Sequence, residues 1–98
     1  MKESLSSNTN YEIHVTYDIP LDKIEEAKTI AKYFGWHTSR IDGDPLLGAG
    51  IKFYYTRHSN SLDMSYNFIN TLVDYIGYKT QFKLLRTKIE QIVYDKRY

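Results

Sequence analysis

From Tyr11 to Ile19 apolar and polar residues alternate without a break, with Ile13, Val15, Tyr17 and Ile19 on one side and Glu12, His14, Thr16 and Asp18 on the other. A period of two sustained over that length describes a strand with one face in a core and the other left open. Pro20 ends it. Residues 51–58 repeat the pattern, with Ile51, Phe53 and Tyr55 set against Lys52, Tyr54, Thr56 and His58. Half-buried strands need a covering layer on one side, which the rest of the chain must supply.

Two segments have helical spacing. Ile24, Ala27, Ile30, Ala31 and Phe34 recur on one stripe, Asp22 and Glu25 have the spacing of a capping box, and Gly35 is a natural stop. In the second, Asn60 or Ser61 is placed to cap, Leu62, Ser65, Ile69, Leu72 and Ile76 line one side, and Gly77 is expected to end the helix. Trp36–Ile41 reads as a short strand, and 42–50 as a turn-rich connector. Phe82–Tyr94 reads as a long final strand, with Leu85, Thr87, Ile89 and Val93 directed one way and Arg86, Lys88 and Glu90 the other.

The order is β-α-β-β-α-β, which predicts an α+β, ferredoxin-like fold: a four-stranded antiparallel sheet with two helices on one face. Thr16, Leu21, Asp22 and Phe34-Gly35-Trp36 echo Thr56, Leu62, Asp63 and Ile76-Gly77-Tyr78, as two similar halves require. The expected strand order is 4-1-3-2. Its open face would gather His14, Thr16, Lys52, Tyr54, Thr56, His58, Arg86, Lys88 and Glu90.

Ninety-eight residues make one domain, assigned to 11–98 behind a flexible lead at 1–10. With no cysteine, disulfides, thiolate metal sites and thiol catalysis are excluded. Thirteen Lys and Arg against 12 Asp and Glu leave a net charge of +1, which disfavours a dedicated nucleic-acid binder. No apolar run approaches the roughly 18 residues that span a bilayer, so a soluble cytoplasmic protein with no membrane partner is expected. Ten tyrosines, each with an apolar body and a polar tip, suit interfaces and favour a homo-oligomer. Abundant Tyr, Asn, Ile and Lys point to an AT-rich genome such as that of a phage or virus.

His14-Val15-Thr16 and Thr56-Arg57-His58 carry the same two polar residue types in opposite order. On antiparallel neighbours, His14 would face His58 while Thr16 faces Thr56. Two imidazoles could then serve as general base and acid across a phosphodiester, with Lys52, Arg86 or Lys88 on the phosphate oxygens. The same patch suits ligand binding without turnover, with Tyr54 stacking on a base and Arg86 and Lys88 holding phosphate. The Gly43–Gly50 loop has no phosphate-binding fingerprint.

Ile13-His14-Val15-Thr16-Tyr17 resembles one strand motif of the two-histidine phosphoesterase superfamily, which implies catalysis by His14 and His58, although residues 56–58 run in reverse order. Tyr17-Asp18-Ile19-Pro20 resembles the first strand of the ferredoxin-like nuclease of CRISPR adaptation, whose strand-end Asp binds metal; Asp18 is read here as a strand-end polar residue. Gly50–Tyr55 resembles a motif of RNA-recognition domains. More broadly, His14-Val15-Thr16, Gly43-Asp44-Pro45, Leu47-Gly48, Thr56-x-His58 and Arg86–Glu90 resemble small bacterial and phage proteins of unassigned function over about residues 11–92. That resemblance implies a shared fold and polar face.

The sequence is therefore read as a non-catalytic module for a small phosphorylated ligand, a nucleotide included. His14, Thr16, Lys52, Tyr54, Thr56, His58, Arg86 and Lys88 form the expected site, with no metal and no cofactor assigned. A two-histidine phosphoesterase-like enzyme using His14 and His58, and a protein-interaction module, are the alternatives.

Overall fold

Strand β1 (Thr9–Ile19) opens the computed structural model, which describes residues 9–41 and 50–93. After Pro20 comes one 3-10 turn, Leu21–Lys23, then helix α1 (Ile24–Phe34), β2 (His37–Ile41), β3 (Ile51–Ser59), helix α2 (Leu62–Lys79) and β4 (Lys83–Val93). The order is β-α-β-β-α-β and the sheet runs β2-β3-β1-β4, antiparallel throughout, as the sequence predicts. β1 takes in Thr9 and Asn10, which the sequence assigned to the flexible lead. The rest of that lead, the connector at 42–49 and Tyr94 lie outside the described residues.

One face of the sheet carries the core. Ile13, Val15, Tyr17, Ile19, Ile51, Phe53 and Tyr55 are buried beneath Ile24, Ala27, Ile30 and Ala31 of α1 and Ile69, Leu72 and Ile76 of α2. Aromatic edges fill its centre: Tyr55 meets Phe53 with ring centroids 5.2 Å apart, Tyr17 at 5.9 Å and Trp36 at 6.4 Å. The buried Tyr55 hydroxyl donates to the Ala27 carbonyl at 3.0 Å, satisfying the polar tip and pinning α1 to β3. Burial pushes the Tyr17 phenol up to about 12. Tyr55 is raised further, by burial first and then by the charges of Tyr17 and Glu26.

Arg57 is the one cation on this face among the described residues of β3. It is half-buried, with its guanidinium 3.5 Å from the Phe68 ring centroid and 5.6 Å from that of Trp36. Nη1 donates at 2.8 Å to the Phe34 carbonyl, one of the acceptors left open at the end of α1. Burial lowers the pKa of this guanidinium, and its buried Nε has no hydrogen-bond partner among the described residues.

The helix ends correct two expectations. Asp22 and Glu25 do not form a capping box: Asp22 lies within the 3-10 turn, and neither Pro20 nor Lys23 caps through a side chain. Gly77 does not end α2, which continues to Lys79 and closes where the Thr80 amide and hydroxyl both donate to the Ile76 carbonyl, at 2.9 and 2.8 Å. Other expectations are met. Gly35 stops α1 at φ 82°, a left-handed conformation that favours glycine. Ser61 caps α2, its hydroxyl accepting from the Met64 amide at 3.1 Å. Ser65, Ile69, Leu72 and Ile76 are buried as predicted, whereas Leu62 is exposed in the first turn.

The last strand holds an irregularity that alternation cannot show. Arg86 pairs with Thr16, but Tyr17 pairs with Leu84, so Leu85 is an extra residue in the β1–β4 ladder. Leu84, not Leu85, therefore lies opposite the core residue Tyr17, while Thr87 and Ile89 keep their expected side opposite Val15 and Ile13.

Candidate functional site

No helix covers the second face, and strand pairing arranges its residues in rows across the sheet. Glu12 has His58 on one side and Glu90 on the other. Next come Thr56, His14 and Lys88, extended by His37 of β2. The third row is Ser39, Tyr54, Thr16 and Arg86, and the fourth is Ile41, Lys52, Asp18 and Lys83.

This register corrects the expected meeting of the histidines. His14 pairs with Thr56, not His58, and Thr16 with Tyr54, not Thr56. The slip is two residues, about 7 Å along the strand. The other face favours the observed register. In the expected register Arg57 would oppose Val15 near the middle of the buried strand. In the observed one Arg57 opposes Ile13, where it reaches the end of α1, and Val15 meets Tyr55. The open face gains as well, because Glu12 comes opposite His58 and Asp18 opposite Lys52.

The two middle rows surround an open concavity of about 390 Å³, lined by His14, Thr16, Ser39, Tyr54, Thr56, Arg86 and Lys88. Six of the eight expected site residues thus share one depression. Lys52 and His58 stand outside it, in the outer rows. Ser39 is a lining residue the sequence reading missed. It arrives through β2, whose five residues are all exposed, so their alternation leaves no hydrophobic signal to show which side faces the ligand. His37 reaches the same open side beside Thr56.

The concavity is electrically lopsided. The Arg86 guanidinium makes no hydrogen bond or ion pair among the described residues, and the Thr16, Ser39 and Thr56 hydroxyls lie in its row or the next. At the other end a chain of charges crosses three strands. His58 Nε2 lies 3.3 Å from Glu12 Oε2, and His14 Nε2 lies 3.0 Å from Glu12 Oε1 and 3.2 Å from Glu90 Oε1. Lys88 Nζ closes the chain, 3.1 Å from Glu90 Oε2. Hydrogen bonding to Lys88 and its charge, then His14, hold the Glu90 carboxyl below the usual carboxylate range. A nitrogen shared by two carboxylates must carry a proton, which assigns the His14 hydrogen to Nε2. In the neutral ring the Thr56 hydroxyl then donates to Nδ1, across 3.2 Å.

The expected general-base chemistry meets an obstacle here, since both nitrogens of His14 are engaged and His58 is directed to Glu12. Asp18 sits at the far end of the strand, its Oδ1 so close to Gly50 that a Cβ there would come within 2.1 Å. No family model and no curated protein matches this chain.

Proposed function

We propose that this chain is a ferredoxin-like module that binds a small phosphorylated ligand, such as a nucleotide, on its uncovered sheet face without turning it over. The observation that carries the reading is the concavity of about 390 Å³ in which the Arg86 guanidinium, with no hydrogen-bond or ion-pair partner among the described residues, stands beside hydroxyls and one tyrosine ring. An unpaired guanidinium is a bidentate donor awaiting an acceptor, and phosphate oxygens match its fork. Thr16 and Ser39 add neutral donors, and Tyr54 offers a flat apolar surface for a base. The volume lies in the range of small-molecule sites. Element order and the β2-β3-β1-β4 sheet support the fold. The non-catalytic part rests on His14, whose Nε2 is held by two carboxylates and whose distance from His58 is set by the register.

A thermal-shift series with AMP, GMP, ATP and inorganic phosphate tests the proposal. Ligand at about 100 times its Kd stabilises the native state by about 2.7 kcal/mol, a shift that Arg86→Ala should remove and Lys52→Ala largely retain. An unchanged melting temperature across the series, or an equal shift in Arg86→Ala, would refute it.

A further inference from the structure

We infer that Glu12, His14 and Glu90 form a binding site for one divalent first-row transition ion, Zn²⁺ or Mn²⁺ in kind. Glu12 and Glu90 are direct partners across the β1–β4 ladder, so the backbone itself sets two carboxylates face to face. Like charges in that position repel and destabilise a sheet unless a cation lies between them. The imidazole of His14 reaches the gap, with Nε2 at 3.0 and 3.2 Å from the two Oε1 atoms. All three donor atoms lie within 4.8 Å of one another. With metal–ligand bonds of about 2.0–2.2 Å, donors on one ion stand roughly 3–3.5 Å apart, so an ion at Nε2 needs only small side-chain movement, the ring hydrogen passing to Nδ1, which then donates to the Thr56 hydroxyl.

The surroundings orient these donors as an outer shell does. Thr56 engages His14 Nδ1, His58 takes Glu12 Oε2, and Lys88 takes Glu90 Oε2, which leaves Nε2 and the two Oε1 atoms turned to one point. One nitrogen and two oxygens suit borderline first-row ions better than Ca²⁺ or Mg²⁺, which prefer all-oxygen sets. The side chains of His14, Glu12 and Glu90 are 28%, 29% and 43% exposed, so the remaining coordination positions open to solvent. The sequence hides this set because Glu12 and Glu90 lie 78 positions apart and become neighbours only through the ladder.

The test uses the full chain free of any affinity tag, in buffer without phosphate. Co²⁺ binding is followed by visible absorption and Zn²⁺ binding by calorimetry. One ion per chain is expected, with affinity lowered by about 10- to 100-fold or more in Glu12→Gln, Glu90→Gln and His14→Ala and kept in His37→Ala and Arg86→Ala. Circular dichroism shows whether each variant is folded, and the isosteric Glu→Gln pair carries the decision if His14→Ala is not. Absence of binding, binding unchanged in both Glu→Gln variants, or loss in His37→Ala would overturn the assignment. Because Arg86→Ala should spare metal binding and remove nucleotide binding, the two readings, of which this one stands apart from the proposed function, fail separately.

Discussion

Gly77 shows how a residue can suggest one structure and occupy another. It lies inside α2 with an ordinary helical backbone, and a Cβ placed on it would meet nothing within 4 Å. Gly77→Ala should therefore stabilise the protein by about 0.5–1 kcal/mol, since alanine loses less backbone entropy on entering a helix. Urea denaturation of the two proteins checks this, and destabilisation would mean that the site needs glycine after all. Gly35 offers the contrast, because there the left-handed φ is real and the stop predicted from sequence occurs. A glycine alone does not say which case applies. The deciding fact is whether the following residues, here Tyr78 and Lys79, can continue the turn while Ile76 stays buried.

At the scale of elements, the strands were legible and their register was not. Alternation assigns each residue of β1 and β3 to a face, and both faces came out as read. A two-residue slip keeps every face assignment while moving every cross-strand partner. The histidine pair was lost in that way, and the observed register is the one that suits Arg57, which the sequence reading passed over. Its charge can lie under the helices only where the Phe34 carbonyl and the Phe68 ring receive it. Arg57→Met should cost about 2 kcal/mol, combining a charged hydrogen bond with a cation–π contact. Chemical denaturation measures the loss, and a variant as stable as the parent would remove Arg57 as the registering residue. The extra residue in β4 was equally hidden, because Leu84 and Leu85 are both apolar and either could have faced Tyr17. Most of the candidate site was legible, since the open side of β1, β3 and β4 gave six lining residues. Ser39 was not, because β2 has no buried face to set its phase.

The whole molecule places two tyrosines at the centre of its core, and this gives it an alkaline limit. The Tyr17 phenol is pushed up to about 12 by burial and Tyr55 is raised further by the same cause. In the unfolded chain both ionise near about 10. Below that pH neither group makes stability pH-dependent. As pH rises past it, the unfolded state sheds protons that the folded state keeps, so stability falls from about 10 until the folded values are passed. Melting temperature measured between about pH 9 and 12 should decline over that window, and Tyr17→Phe should make the decline shallower. A flat profile there would contradict the burial of both phenols.

A sheet clad on one side only separates two kinds of inheritance along a single strand. In β1, the odd positions Ile13, Val15, Tyr17 and Ile19 answer to folding, whereas Glu12, His14 and Asp18 between them have no helix above them. A codon library confined to the even positions of β1 and β3 would sample new surface chemistries while leaving the folded scaffold nearly untouched. A lineage carrying this domain can therefore exchange what it recognises one residue at a time, without passing through unfolded intermediates.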